Sequence, residues 1–177
     1  MIKITDYDKN YDEALFISKA DHIFIMILDA IMDNDMNSVK HYLADDVYER
    51  FNNLVNQYKE KNYTRIFDEM NVKSTEILES SYNDDSINID VLITSRYMDY
   101  FLDDEGEFVS GNNEHRIETK HYITFTKSIG AKELNEARRC PSCGSTLDIN
   151  NSGVCPYCKQ IIEMKDYDYI ITKINTF

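Results

Sequence analysis

The stretch SINIDVLITSRYMDYF, residues 86–101, decides the fold class. In its first half, the apolar residues Ile87, Ile89, Val91 and Ile93 each stand two positions apart. Because successive side chains of a strand point to opposite faces, a repeat of two gives a strand with one apolar face. We therefore predict a strand over residues 86–101 whose isoleucine face is buried.

Further strands are predicted on both sides of this one. Thr75–Tyr82 is expected to be its antiparallel neighbour, and His115–Lys127 and Tyr167–Ile174 are expected to be strands as well. Turns are predicted at Asp103–Gly106 and at Ser110–Asn113, because Asp, Asn and Gly cluster there. These strands follow one another along the chain, which favours an antiparallel sheet.

Before residue 75 the apolar residues recur every three or four positions, which indicates helices with one buried stripe. The first stripe is Phe16, Ala20, Ile23, Phe24, Ile27 and Ile31. A short helix with Val39, Tyr42 and Leu43 follows a break at Asn34 and Asp35. The next helix, with Asp45 as its N-cap, has the stripe Val47, Phe51, Leu54, Val55 and Tyr58. Ile66–Met70 is expected to form a short, irregular piece. Helices followed by antiparallel strands define an α+β fold.

The four cysteines form two C-x-x-C pairs, Cys140 with Cys143 and Cys155 with Cys158. Two thiolates at this spacing can bind one metal ion from a tight turn, and two such turns complete a tetrahedral site. Gly144 suits a position of positive φ after the first pair. We predict one structural zinc ion per chain, bound in a small zinc ribbon.

Three other interpretations of the cysteines stay open. Cys155-Pro-Tyr-Cys158 is similar to a glutaredoxin active site, but a second pair precedes it and a β-prone Ile161-Ile162 follows. Two disulfides would fit a secreted protein, yet no signal peptide is present. A rubredoxin-like iron site has the same ligands and differs only in its metal.

The chain of 177 residues is acidic, with a net charge of −13 and a pI of about 4.6. Such a chain repels phosphates and anionic lipid head groups, so nucleic acid is not an expected partner. The N-terminus lacks a secretory pattern. The most apolar segment, Ile23–Met32, is too short to span a bilayer. We expect a cytoplasmic protein without a transmembrane segment, and the sequence does not specify its oligomeric state.

His121 is the one candidate for a pocket residue. On the strand at 115–127, its face also carries Ile117, Thr119, Ile123 and Phe125, which we expect to be buried. A histidine in a cleft can act as an acid or base, whereas a buried and hydrogen-bonded histidine is the more common case. No nucleophile elbow, phosphate-binding glycine loop or nucleotide motif is present, so we assign no catalytic residue.

The whole pattern resembles the Tim-forty-four-like (Tim44-like) domain family. The first helix has the family's stripe at Phe16, Ala20, Phe24 and Ala30 and ends in a turn at Asp35. The family's D-x-x-G turn corresponds to Asp103–Gly106, with a further Gly111. Its closing strand corresponds to Ile123–Lys127, where Ile123 replaces a tryptophan. Bacterial members carry a ribbon of the type C-P-x-C-G…G-x-C-x-Y-C, followed by a strand that here is Asp168–Ile174 with Tyr169 in place of a second tryptophan.

The resemblance implies a cone-shaped, cystatin-like fold, similar to nuclear transport factor two, in which helices pack against a curved antiparallel sheet. It implies a cone domain at residues 1–135 and 166–177, with a zinc ribbon inserted at residues 136–165. We expect a non-enzymatic scaffold whose partner is another protein. The alternative is a small-molecule-binding protein, or an enzyme of the ketosteroid-isomerase-like type, that uses the cone interior.

Overall fold

The computed structural model describes residues 2–83, 85–131, 140, 142–146, 154–161 and 164–175. Among these residues the helices are α1 at Glu13–Met32 and α2 at Asp45–Glu60. The strands are β1 at Thr64–Asn83, β2 at Ser86–Leu102, β3 at Phe108–Ser128 and β4 at Ile170–Asn175. Short 3-10 helices lie at Ile4–Asp6, Met36–Tyr42 and Met164–Asp166.

The strands form one open antiparallel sheet in the order β1-β2-β3-β4. Ile89 lies between Ser80 of β1 and Phe125 of β3, and Ile123 of β3 pairs with Ile174 of β4. The four cysteines lie between β3 and β4 along the chain. The α+β prediction is confirmed: N-terminal helices pack on an antiparallel sheet, with the cysteines inserted before its last strand.

One face of the sheet, called the inner face here, carries Ile87, Ile89, Val91 and Ile93, none of which is more than 1% exposed. The buried stripe of α1 packs against the same face of β3. The ring of Phe16 lies 5.4 Å from that of Phe125, and the Phe24 ring lies 4.5 Å from that of His121. Each fully buried side chain of this size contributes about 1.5–3 kcal/mol, so this contact dominates the core.

The opposite, outer face carries many polar side chains. Cross-strand hydrogen bonds line it: the Thr124 hydroxyl donates to Asp90 at 2.6 Å, and the Thr126 hydroxyl donates to Asn88 at 2.8 Å. Nearby, Lys73 and Glu118 form an exposed ion pair of 2.7 Å. Ile117, expected in the core, is instead 52% exposed.

Two predictions are wrong, one about the N-cap of α2 and one about the first residues of the sheet. Asp45 is the first residue of α2 rather than its N-cap, which is Ala44 and makes no side-chain capping bond. The Ala44 N–H donates to the Ile171 carbonyl at 2.8 Å, which ties the start of α2 to β4. Ile66–Met70 is part of β1, which starts at Thr64 because it pairs with the far end of β2.

The turn predicted at Ser110–Asn113 is a bulge within a continuous strand, so β3 begins at Phe108 instead of His115. Tyr97 pairs with Ile117 and Asp99 pairs with Asn112, which leaves residues 113–116 opposite Met98 alone. The Asn112 side chain closes this loop by accepting from the Glu114 N–H at 3.1 Å and donating to the His115 carbonyl at 2.9 Å.

Both edges of the sheet have features that discourage pairing with a further strand. The pairing of β1 with β2 is irregular at three places, after Asp68, Val72 and Ile77, and such bulges discourage pairing with another strand. At the other edge, the Arg50 guanidinium donates to the Ile174 carbonyl at 2.7 Å, next to the bond from Ala44. The predicted domain boundary at residue 135 lies outside the described residues, so the division of the chain stays a prediction.

We predict that Gly111→Ala destabilises the fold strongly. Gly111 has a φ of +105°, and an added Cβ would lie 2.5 Å from the Asp99 carbonyl oxygen and 2.6 Å from Tyr100 Cα. Since both neighbours are backbone atoms, we expect a loss of about 3 kcal/mol or more in the free energy of unfolding, measured in urea.

Gly106→Ala is the matched control. Gly106 also has a positive φ, +83°, but an added Cβ would meet nothing within 4 Å. Its expected cost is about 1 kcal/mol, from the backbone conformation alone. Equal losses in the two variants would contradict the steric argument.

Candidate functional site

The first cysteine pair lies in a tight turn that its own backbone closes. The Gly144 N–H donates to the Cys140 carbonyl at 2.8 Å, and the Cys140 N–H donates to the Ser145 carbonyl at 2.8 Å. Gly144 has a φ of +71°, which confirms the prediction that this position needs a residue tolerant of positive φ. The turn directs both thiols of the pair toward the second pair.

The second cysteine pair repeats this geometry. The Lys159 N–H donates to the Cys155 carbonyl at 2.9 Å, and the Cys155 N–H donates to the Gln160 carbonyl at 2.9 Å. Lys159, at the position of Gly144, takes a φ of +62° in spite of its side chain. The two turns are thus equivalent, and their relation is already visible in the repeated C-P-x-C pattern.

The four cysteine Sγ atoms lie within 4.8 Å of one another. Cys140 Sγ is 3.5 Å from Cys158 Sγ, and Cys143 Sγ is 3.7 Å from Cys155 Sγ. Four sulfurs about 2.3 Å from a central zinc ion would be about 3.8 Å apart at tetrahedral angles, so the donor set fits a metal of this kind. All four cysteines are free thiols, two of them buried (Cys140, Cys155) and two exposed (Cys143, Cys158).

Ser145 also belongs to this cluster, although serine is not a residue type that a metal-ligand pattern in the sequence would single out. Its hydroxyl oxygen lies 2.9 Å from Cys143 Sγ and 3.3 Å from Cys155 Sγ, so it touches one thiol of each turn. The hydrogen bond with the Ser145 side chain is the main cause that lowers the pKa of the Cys143 thiol. A lowered pKa favours the thiolate form that metals bind.

His121 lies in the core and is fully buried. Its Nε2 is 2.7 Å from the Ser95 hydroxyl, and its ring packs against that of Phe24. Burial lowers the pKa of His121 to about 4, so the imidazole is neutral at pH 7. His41, which is also buried, has its pKa lowered to about 4 by burial and by the charge of Lys19.

A surface groove of about 330 Å³ lies at the end of the inner face. Its lining residues are Arg65, Tyr97, Asp99, Gly111, Asn112, Ile117 and Thr119. His121 is not among them. Tyr97, by contrast, lines the groove and is itself buried; burial raises the Tyr97 pKa, against the effect of the nearby Thr119 and Ser95 side chains, which lower it. The Tyr97 ring lies 6.1 Å from that of His121, so the wall of the groove reaches the Ser95–His121 pair.

A buried ionic network lies beside the segment that carries the cysteines. Asp8 accepts hydrogen bonds from Lys127 Nζ at 2.7 Å and from the Tyr169 hydroxyl at 3.2 Å. Lys19 of α1 forms an ion pair with Asp168. Burial, followed by the charge of Asp8, raises the Tyr169 pKa. The sequence does not reveal this network, because the two partners of each bond lie more than a hundred positions apart.

The sequence model of the Tim44-like domain matches residues 1–136, well over half of the 177 residues. The chain belongs to the Tim44-like domain family. The matched part of this Tim44-like chain contains both α-helices and β1 to β3, whereas the four cysteines and β4 lie beyond it. No curated protein matches the chain. In the part that the structure describes, no helix has the length and apolar character needed to cross a membrane.

We predict that acid destabilises this Tim44-like fold through its buried histidines. A histidine with a pKa of about 4 in the fold and 6.5 when unfolded binds a proton only on unfolding, so stability falls as pH drops from 6.5 toward 4. The slope of the unfolding free energy against pH measures how many protons are taken up on unfolding. Between pH 5 and 6.5, this number should be smaller by about one in the His121→Gln variant.

His115→Gln serves as the control, because His115 is exposed on the β3 bulge. It should leave the slope unchanged. Chemical denaturation at half-unit pH steps measures both variants. A His121→Gln slope equal to that of the unmodified protein would show that His121 is not buried in its neutral form.

Proposed function

We propose that this Tim44-like chain is a non-enzymatic protein-interaction or scaffold domain, stabilised by one structural zinc ion. The observation that carries the proposal is the packed inner face, where Phe16 and Phe24 of α1 cover Phe125 and His121. An enzyme needs titratable groups that converge on an open pocket, whereas here the candidate base is fully buried. Membership of the family supports a role in protein interactions.

Cys140, Cys143, Cys155 and Cys158 are the residues that would hold the zinc ion. Four thiolates fill a tetrahedral coordination shell and leave no open position for substrate or water, which is typical of structural zinc sites. Bound metal of this kind contributes on the order of 10 kcal/mol to the folding of the segment around it. A cytoplasmic location fits the reduced thiols that such a site requires.

The expected partner is a protein with a basic surface. The net charge of −13 favours such a surface electrostatically and disfavours nucleic acid and anionic membranes. The exposed residues of the sheet's outer face are largely charged or polar, and they include Lys73, Arg116 and Glu118. Polar contacts are therefore expected to dominate recognition.

The second candidate function is the binding of a small molecule in the groove, with or without catalysis. The observation that favours it is the position of Tyr97, which lines the groove while its ring lies 6.1 Å from that of His121. A ligand in the groove would meet the Tyr97 hydroxyl, and a neutral imidazole behind Ser95 could accept a proton. This candidate requires the Tyr97 hydroxyl, whereas the scaffold function does not.

We predict close to one zinc ion per chain in purified protein. The sample should be colourless, because zinc has a filled d shell, and elemental analysis measures the metal directly. The Cys143→Ser, Cys158→Ser double variant should lose the metal, while the far-ultraviolet helical signal is largely retained. Iron in the unmodified protein, or zinc retained by the double variant, would refute the assignment.

We predict that partner binding weakens as salt rises. Photo-crosslinking in host cells identifies the partner, and titration with that purified partner between 50 and 500 mM salt gives the dissociation constants. A Tyr97→Phe variant should bind the partner as tightly as the unmodified protein does. A dissociation constant that does not change with salt concentration would exclude a charged interface. Loss of binding in Tyr97→Phe would favour the groove as the functional site instead.

A further inference from the structure

The cysteine cluster has two unequal halves. One half, Cys143 and Cys155, is in contact with the Ser145 hydroxyl at 2.9 and 3.3 Å. The other half, Cys140 and Cys158, consists of two sulfurs 3.5 Å apart. Among the described residues, no side-chain hydroxyl lies within hydrogen-bonding distance of Cys158.

The asymmetry arises at one of the three positions at which the two turns differ, where the first turn has Ser145 and the second has Gln160. The carbonyls of Ser145 and Gln160 play the same role, since each accepts from the first cysteine of its turn. The Ser145 side chain points back to the sulfurs, whereas Gln160 is exposed. A metal-bound thiolate has no proton to donate, so the Ser145 hydroxyl must be the donor.

We propose that Ser145 is a positioning residue of the metal site, whose hydroxyl donates to Cys143, the nearer of its two sulfur contacts, and leaves exposed Cys158 as the ligand that electrophiles attack first. The inference rests on the proposed zinc site. A hydrogen bond to a thiolate withdraws electron density from the sulfur and orients its lone pairs, which strengthens retention of the metal and lowers nucleophilicity. Cys143 and Cys158 are both exposed, so access alone does not separate them.

The reaction can be followed with N-ethylmaleimide. The Cys158 sulfur adds to the maleimide double bond, a carbon–sulfur bond forms as the π bond breaks, and the neighbouring carbon takes a proton from water. The alkylated sulfur is then a neutral thioether and a poor ligand. Zinc is left with three thiolates and dissociates more readily.

The first experiment treats the zinc-loaded full chain with less than one equivalent of N-ethylmaleimide and maps the modified peptides by mass spectrometry. We expect Cys158 to be modified at least fivefold more than Cys143. Preferential modification of Cys143 would overturn the proposal, and so would equal modification of the two. This measurement needs no variant and does not depend on how a substitution folds.

The second experiment compares Ser145→Ala, Ser145→Thr and Ser142→Ala. Ser142 is an exposed serine in the same turn and serves as the matched control. Competition with a chromogenic chelator should show about 10- to 100-fold weaker zinc binding in Ser145→Ala, with Ser142→Ala unchanged and Ser145→Thr near the original value. Ser145→Ala should also raise modification of Cys143 toward that of Cys158.

Substitution of cobalt for zinc adds a spectroscopic measurement. Its absorption band would not shift on replacement of a serine that only stabilises the turn. Loss of a hydrogen bond makes the thiolate more electron-rich, so the thiolate-to-cobalt charge-transfer band of Ser145→Ala should shift to lower energy. An unshifted band together with unchanged zinc affinity would overturn the role of Ser145. A chain that binds no zinc at all would instead refute the proposed function, so the two failures are distinguishable.

Discussion

The packing of α1 against the inner face of β2 and β3 is the contact on which the rest of the structure depends. Phe24 and Ile27 of α1 are fully buried, as are Ile89 and Ile93 of β2. An open sheet with one apolar face cannot be stable in water without such a cover. His121 is tolerated within this layer only because Ser95 satisfies its ring nitrogen and burial keeps it uncharged.

Asp8 holds the two ends of the cysteine segment close to each other. Lys127, at the end of β3, and Tyr169, just before β4, both bond to its carboxylate. The chain therefore leaves the sheet and returns to it at one place, and the loop-closure cost of the intervening segment depends only weakly on its length. This arrangement explains how the cysteine segment can lie beyond the matched Tim44-like residues without disturbing the strand order.

Periodicity predicted most of the fold because it reports burial directly. The stripe from Phe16 to Ile31 and the alternation from Ile87 to Ile93 belong to elements whose buried faces are continuous. The clustering of the four cysteines could be predicted equally well, because each C-P-x-C turn is local in the sequence. Asp45 and Ile66 were misassigned because distant partners determine their structure: Ala44 ties the start of α2 to β4, and pairing with β2 extends β1.

Dependence on distant residues also explains which features of the candidate sites could not be predicted from the sequence. Ser145 is separated by ten positions from one of its sulfur contacts, and its hydroxyl could not be placed before the equivalence of the two turns was known. The groove exists only because residues 113–116 bulge out of β3 and place Asn112 beside Tyr97 and Asp99.

The two candidate sites also differ in what holds them together. The groove is made by register and side-chain packing within the sheet, so its shape follows the stability of the fold. The cysteine cluster is made by two short turns, in which the described backbone bonds join residues only four or five positions apart. A metal ion bound by the four thiols would add free energy to these local turns. Its loss should affect the segment before β4 more than the layer between α1 and β2, because the described backbone bonds of the turns are local whereas that layer is held by buried side chains of α1, β2 and β3.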